Sequence, residues 1–272
     1  MKKMIMLLLA AVMCISFASC GDMQKKSEAV ENVEKMIADL PELPMENYDE
    51  IDIAREKIDA VEVAYNALSA EEQDKVENWQ TFETERTRLF ENEYKWAALS
   101  IQYMNLNTEH VISGNVTIWD NVGASDFLTY QEDVIIAGEI GYDGMISRYG
   151  SDDALYVFWV AGYAVDKEYF GENFFSFSSS KITETEEKCK SYVQSIKNIE
   201  DSHESIKAFI DVMVKDYSKE YSTEMDALQN WWIESSLYAD HALDPSGNLN
   251  SYISDANEYK DNIQRYQKIA GY

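Results

Sequence analysis

Proline, glycine, histidine and cysteine are all scarce in this 272-residue chain, which holds 3 Pro, 11 Gly, 3 His and 3 Cys. So few breakers, set among long stretches rich in Glu, Lys, Ala, Leu and Met, exclude a turn-rich β architecture and predict an all-α fold. Basic residues are also in deficit: 23 Lys and Arg face 50 Asp and Glu, for a formal net charge of -27. Such a chain is repelled by phosphate backbones and anionic headgroups, which excludes nucleic acid as a partner and argues against lying flat on a membrane. A long apolar run is missing as well, because the stretch Met4 to Phe17 falls short of the roughly 20 residues a spanning helix needs. What is plentiful is core material, with 46% hydrophobic and 12% aromatic residues. The chain is therefore no disordered acidic tail, and its length allows one or two domains.

The first residues read as an address. Lys2 and Lys3 precede the uncharged segment, and the small pair Ala18-Ser19 stands immediately before Cys20. That order predicts a signal peptide over residues 1–19. Phe17-Ala18-Ser19-Cys20 resembles the lipobox of bacterial lipoproteins, with Phe17 where that family usually carries an aliphatic residue. The resemblance implies that Cys20 is acylated by palmitate-type chains and becomes the first residue of the mature protein, lipid-anchored at the extracytoplasmic face of the cell membrane. Two or more acyl chains hold a protein durably where one does not. Removing residues 1–19 takes away two lysines and no acids, leaving a formal charge of -29. Cys14 would go with the signal, so Cys189 would be the only free thiol and no intramolecular disulfide could form.

Residues 20–27 make a short polar tether. From Val30 the apolar positions Val30, Val33, Ile37 and Leu40 share one helical face, and Pro41 stops the run. After "PELPMENYDE" a second run, Ala54, Ile58, Val61, Tyr65 and Leu68, repeats the spacing. Ser69 and Glu72 in "SAEE" have capping-box spacing and predict a third helix, which turns Val76, Trp79, Phe82 and Leu89 inward. Three such faces make a small bundle. The segments "IADLPE", "NYDEIDIAR" and "AYNALSAEEQDKVENWQTF" look like a small helical module that recurs in exported surface proteins and enzymes of Gram-positive bacteria. The resemblance covers residues 28–91, with about one heptad of extra sequence between Ala54-Arg55 and Ala64-Tyr65. It implies a spacer or accessory role and carries no catalytic residues.

Beyond Glu91 the pattern changes, and residues 92–272 read as a larger antiparallel helical bundle. Trp96, Leu99, Tyr103 and Met104 open a helix that runs to Val122-Gly123, and Ser125-Asp126 are placed to cap the next. Gly141, Gly144 and Gly150 interrupt or end that one. "ALYVFWVAGYAV" is apolar nearly all round and reads as a central helix. Long helices follow over Thr183 to Tyr217 and Lys219 to Ala242, then a turn at "DPSGN" and a last helix.

Few constellations hint at chemistry. "SSSK", Ser178 to Lys181, matches S-x-x-K, but K-T-G and S-D-N are absent, so a serine-rich helix start explains it better. Asp244, Ser246, Asn248 and Asp255 fall at EF-hand-like positions, yet Leu249 stands where glycine is needed, and a capped turn is the plainer reading. His110, His203 and His241 are isolated, with no metal-ligand spacing. Lys188 and Lys190 flank Cys189 and would lower its pKa modestly. No cofactor or metal is expected.

Aromatic residues remain. Tyr156, Phe158, Trp159, Tyr163, Phe174 and their neighbours crowd one region, and Trp231-Trp232 add more. Adjacent tryptophans do not share a helical face, so at least one should point away from the main core or toward a partner element. Core packing accounts for most of these rings, and the candidate ligand or partner surface comprises Trp159, Tyr163, Phe174, Trp231 and Trp232. The sequence thus points to a lipoprotein anchored through Cys20, of non-enzymatic binding or interaction type, meeting another envelope protein or a small ligand. Its rivals are a small-molecule binder or sensor with an aromatic pocket, and a hydrolase acting on cell wall or glycans.

Overall fold

The computed structural model describes residues 26–41, 48–166 and 178–272. Among these the chain is all-α, with nine helices and no strand. It divides into two compact units, one ending at Leu89 and the other running Phe90–Tyr272.

In the first unit, α1 (Glu28–Ala38) buries Val30, Val33 and Ile37 at the expected spacing. α2 (Tyr48–Asn66) buries Ile51, Ala54, Ile58 and Val61. The third predicted helix differs from expectation. α3 (Ala70–Gln73) is a single turn, and α4 (Trp79–Val122) starts after a gap of only five residues. Polar groups in the gap bond outside any helix ladder: the Glu77 N–H donates to the Glu34 carboxylate at 2.8 Å and the Asn78 amide to the Glu34 carbonyl at 2.9 Å. Trp79 then stacks on Tyr65 with ring centroids 3.5 Å apart, and Phe82 follows at 4.4 Å.

Charged and hydroxyl groups tie the helix ends of this unit. The Ser27 hydroxyl accepts from the Val30 N–H at 3.3 Å and donates to the Glu72 carboxylate at 2.8 Å. Glu72 also accepts from the Ser69 N–H at 3.1 Å, the reach-back half of a capping box. The Ser27 hydroxyl first, and Ser69 after it, hold the Glu72 carboxyl below its ordinary range. Glu34 is lowered too, by Lys26 at 2.6 Å and then by the Glu77 N–H.

α4 does not break near Glu91, where the sequence pattern changes. No proline occurs in its 44 residues and the first glycine is Gly114, so nothing local stops it. The second unit holds the rest of α4 with α5 (Phe127–Tyr149), α6 (Ser151–Val165), α7 (Ser179–Tyr217), α8 (Ser222–Leu243) and α9 (Leu249–Ile269). Asp126 occupies the N-cap of α5, but its side chain makes no cap bond, because its backbone sits at φ -110°, ψ -7° instead of the extended region. α5 is broken at Gly141, where φ is +71°. The Tyr142 N–H freed by that break donates to Glu186 of α7 at 3.2 Å. Three residues earlier, a Cβ on Gly138 would lie 2.5 Å from the Cys189 carbonyl oxygen, so α5 and α7 touch backbone to backbone there.

The core of this unit contains a closed polar cluster. Asn115, fully buried on α4, donates to the Ala242 carbonyl at 2.9 Å and the Tyr252 hydroxyl at 2.8 Å. Its carbonyl oxygen accepts from the Tyr192 hydroxyl and, at 3.0 Å, from the Gln131 amide. All four hydrogen-bonding positions of the Asn115 carboxamide are therefore filled, by residues from α5, α7, α8 and α9. Burial pushes the Tyr192 hydroxyl up to about 12 and raises Tyr252 further, so the cluster stays neutral.

Candidate functional site

α5 and α6 meet at Gly150 and pack along each other. Between them lies a groove of about 270 Å³, lined by Asp133, Ile136, Met145 and Tyr149 from α5 and by Asp153, Tyr156 and Val157 from α6. On α6 the three residues sit at i, i+3 and i+4, which places them on one face. On α5 the break at Gly141 shifts the helical phase between Ile136 and Met145. Met145 is fully buried, while Tyr149 is 45% and Tyr156 56% exposed, so apolar side chains line the interior and phenol rings reach solvent.

Asp133 is the charged group most affected by this setting. Burial, and to a lesser degree the charge of Glu132, raises its carboxyl above the usual aspartate range. Among the described residues no ion pair or hydrogen bond engages that carboxylate. Tyr130 stands in the same field; burial raises its pKa first, followed by Tyr156, Asp126, Tyr163 and Asp133. Its ring centroid is 6.4 Å from that of Tyr163, the same separation as Tyr156 from Trp159. Among the described residues the lining is aromatic and acidic, with no lysine or arginine in it. Arg148 lies outside that lining, 5.2 Å from the Tyr149 ring centroid.

The sequence-derived surface residues separate into two groups. Trp159 and Tyr163 lie half-buried on α6, and the Tyr163 hydroxyl donates to the Asn121 carbonyl at 2.6 Å. Trp231 and Trp232, by contrast, are both core residues at 0% and 7% exposure. Neither points away from the core, because α8 packs against both α7 and α9: Trp231 faces the Tyr272 ring at 6.0 Å and Trp232 faces His203 at 5.0 Å. Phe174 and Cys20 lie outside the described residues.

The remaining motifs resolve into local structure. Cys189 departs from expectation: burial pushes its thiol up to about 12, overriding Lys188, which pairs with Asp166 and Glu184. Asn248 is the N-cap of α9, accepting from Asn250 and Ser251 at 3.1 Å, and no group of three or more His, Cys, Asp or Glu could hold a metal ion among the described residues. The Ser178 and Ser180 hydroxyls bond each other at 2.9 Å. The three histidines bond in three separate places, to Ser191, Ser236 and the Tyr252 carbonyl.

Asp133, Tyr149 and Asp153 are the residues that sequence reasoning missed. The one local signal was the Asp153, Tyr156, Val157 spacing, which puts an acid beside a ring on one helix face. A second depression, of about 600 Å³, takes its lining, Asp261, Gln264, Arg265, Lys268 and Ile269, from α9 alone and mixes both signs of charge. No helix among the described residues is long and apolar enough to cross a membrane. No known protein family, curated protein or solved structure matches this chain.

Proposed function

We propose that this chain is an exported, lipid-anchored binding protein. It is acylated at Cys20 and held at the extracytoplasmic face of the cell membrane. Residues 28–91 serve as spacer, and the Phe90–Tyr272 unit offers its α5–α6 groove to a ligand. The observation that carries the binding part is the groove itself: a half-buried carboxylate with no partner among the described residues, beside exposed phenol rings, in a unit whose tryptophan pair is packed into the core. The anchoring part rests on the order Lys2-Lys3, apolar segment, Ala18-Ser19-Cys20.

The test is expression of the full chain in a bacterial host fed labelled palmitate, beside Cys20→Ala. The wild-type chain takes up label and sediments with membranes, and Cys20→Ala takes up none. Equal labelling of the two, or an unlabelled cytoplasmic wild-type protein, overturns the anchor. One observation also favours a second reading, a glycan-acting hydrolase: Asp133, with its raised pKa, shares the groove with Asp153, and such pairs of carboxyls act as acid and base or nucleophile. Release of sugar from wall glycans by the full chain, abolished in Asp133→Asn, would establish that reading in place of simple binding.

A further inference from the structure

The α5–α6 groove has a definite chemical preference. Among the described residues its charged lining groups are Asp133 and Asp153, both acidic, and the whole chain carries 27 more acids than bases. An anionic ligand would meet repulsion at short and long range. A bare metal ion would need several oxygen ligands converging on one point, and no such group exists among the described residues. The walls add a second requirement, because Ile136, Met145 and Val157 present hydrocarbon and Tyr149 and Tyr156 present ring surface. A tyrosine face attracts a positive charge through the ring quadrupole, as the Arg148 guanidinium 5.2 Å from the Tyr149 ring centroid shows, so the Tyr156 face is the one offered to a ligand cation while ring edges receive apolar substituents. A ligand that satisfies both demands carries one positive charge and a small apolar body.

The size of the space narrows the class. About 270 Å³ lies at or below the lower end of the range for drug-sized ligands. It suits an alkyl- or arylammonium ion of roughly ten heavy atoms and excludes a folded polypeptide element. Building on the binding reading above, we infer that the groove takes a small organic ammonium ion, its cationic head at Asp133 and its apolar body against Met145, Val157 and the Tyr149 and Tyr156 rings. Asp133 forms the ion pair, Asp153 supplies further negative potential, and the tyrosines set the fit.

Isothermal titration of the full chain in non-ionic detergent tests this with three probes of similar shape: phenethylamine, 2-phenylethanol and 3-phenylpropionate. Phenethylamine is expected to bind at least about tenfold more tightly than the alcohol, with the carboxylate weakest. Asp133→Asn should remove about tenfold of the amine's affinity and leave the alcohol unchanged, since the change deletes charge while keeping shape. Tyr156→Ala, at a half-exposed position, should weaken both amine and alcohol and serves as the second variant if Asp133→Asn misfolds by circular dichroism. Equal binding of amine and alcohol, both lost in Tyr156→Ala, would overturn the cation preference while leaving the groove a binding site. Binding indifferent to both folded variants, or no binding of any probe, would overturn the groove assignment as well.

Discussion

The two units of this protein are held together by different physics. In the unit ending at Leu89, the apolar contacts of α1 and α2 are closed off by hydrogen bonds at helix ends, and two of the groups involved, Glu34 and Glu72, are ionised and near solvent. In the Phe90–Tyr272 unit the polar contribution lies at the centre, where Asn115 joins α5, α7, α8 and α9 through neutral groups cut off from water. Exposed charged contacts are weakened by salt and acid, whereas buried neutral ones are indifferent to both and costly to leave half-made. Each unit therefore has its own point of failure.

The largest effect is expected from Asn115→Leu. Leucine keeps the branched shape of asparagine but takes the Asn115 donor from the Tyr252 hydroxyl and the Ala242 carbonyl and the acceptor from the Tyr192 hydroxyl, leaving only the Gln131 amide's bond to Tyr192 at 2.8 Å. The loss should be about 3 kcal/mol or more, a fall in melting temperature of roughly 6–12 °C for a unit of this size. Hydrogen exchange localises it: protection should drop in α7, α8 and α9 and hold in α1 and α2. A uniform drop along the whole chain would show that the two units unfold as one. Ser27→Ala is expected to act in the opposite place and more weakly, by about 1 kcal/mol, since it removes a helix cap along with the bond to Glu72. Its signature is faster exchange in α1 with no change at Tyr192 or Tyr252.

Acid provides the subtlest comparison. Glu34 and Glu72 have folded pKa values below their unfolded ones, so their contribution is present above the unfolded carboxylate range and is lost as pH falls through the lowered folded values. In the second unit Glu186 has the same sign: burial opposes its charge, but Lys190 and the Tyr142 N–H outweigh it. Asp133 has the opposite sign and offsets that loss. Between about pH 5 and pH 3 α1 should therefore lose exchange protection before α8 and α9 do, and simultaneous loss would contradict the division of labour.

Much of this was visible in the sequence wherever the cause was local. The buried face of α1, the Ser69 and Glu72 reach-back and the interruptions at Gly141 and Gly150 follow from spacing and residue type within one or two turns. α4 was missed as one helix because its apolar face changes character near Glu91, and a change of partner looks in sequence like a change of element. The same limit hid the candidate site. Asp133 and Tyr156 are 23 positions apart and share a groove only because Gly150 turns the chain back on itself. Asn115 looked like any polar residue on an amphipathic helix, since its partners come from four other helices. Trp231 and Trp232 are both buried because a helix with neighbours on two sides has two inward faces, so one ring of an adjacent pair can face a partner element.

Cys189 has a consequence beyond packing. Its sulfur has no exposed surface and burial keeps it protonated at neutral pH, so a thiol reagent can react only in the moments when the core around it opens. The protein thus carries its own stopwatch: the rate at which Cys189 is modified in an otherwise undisturbed sample counts how often the core opens.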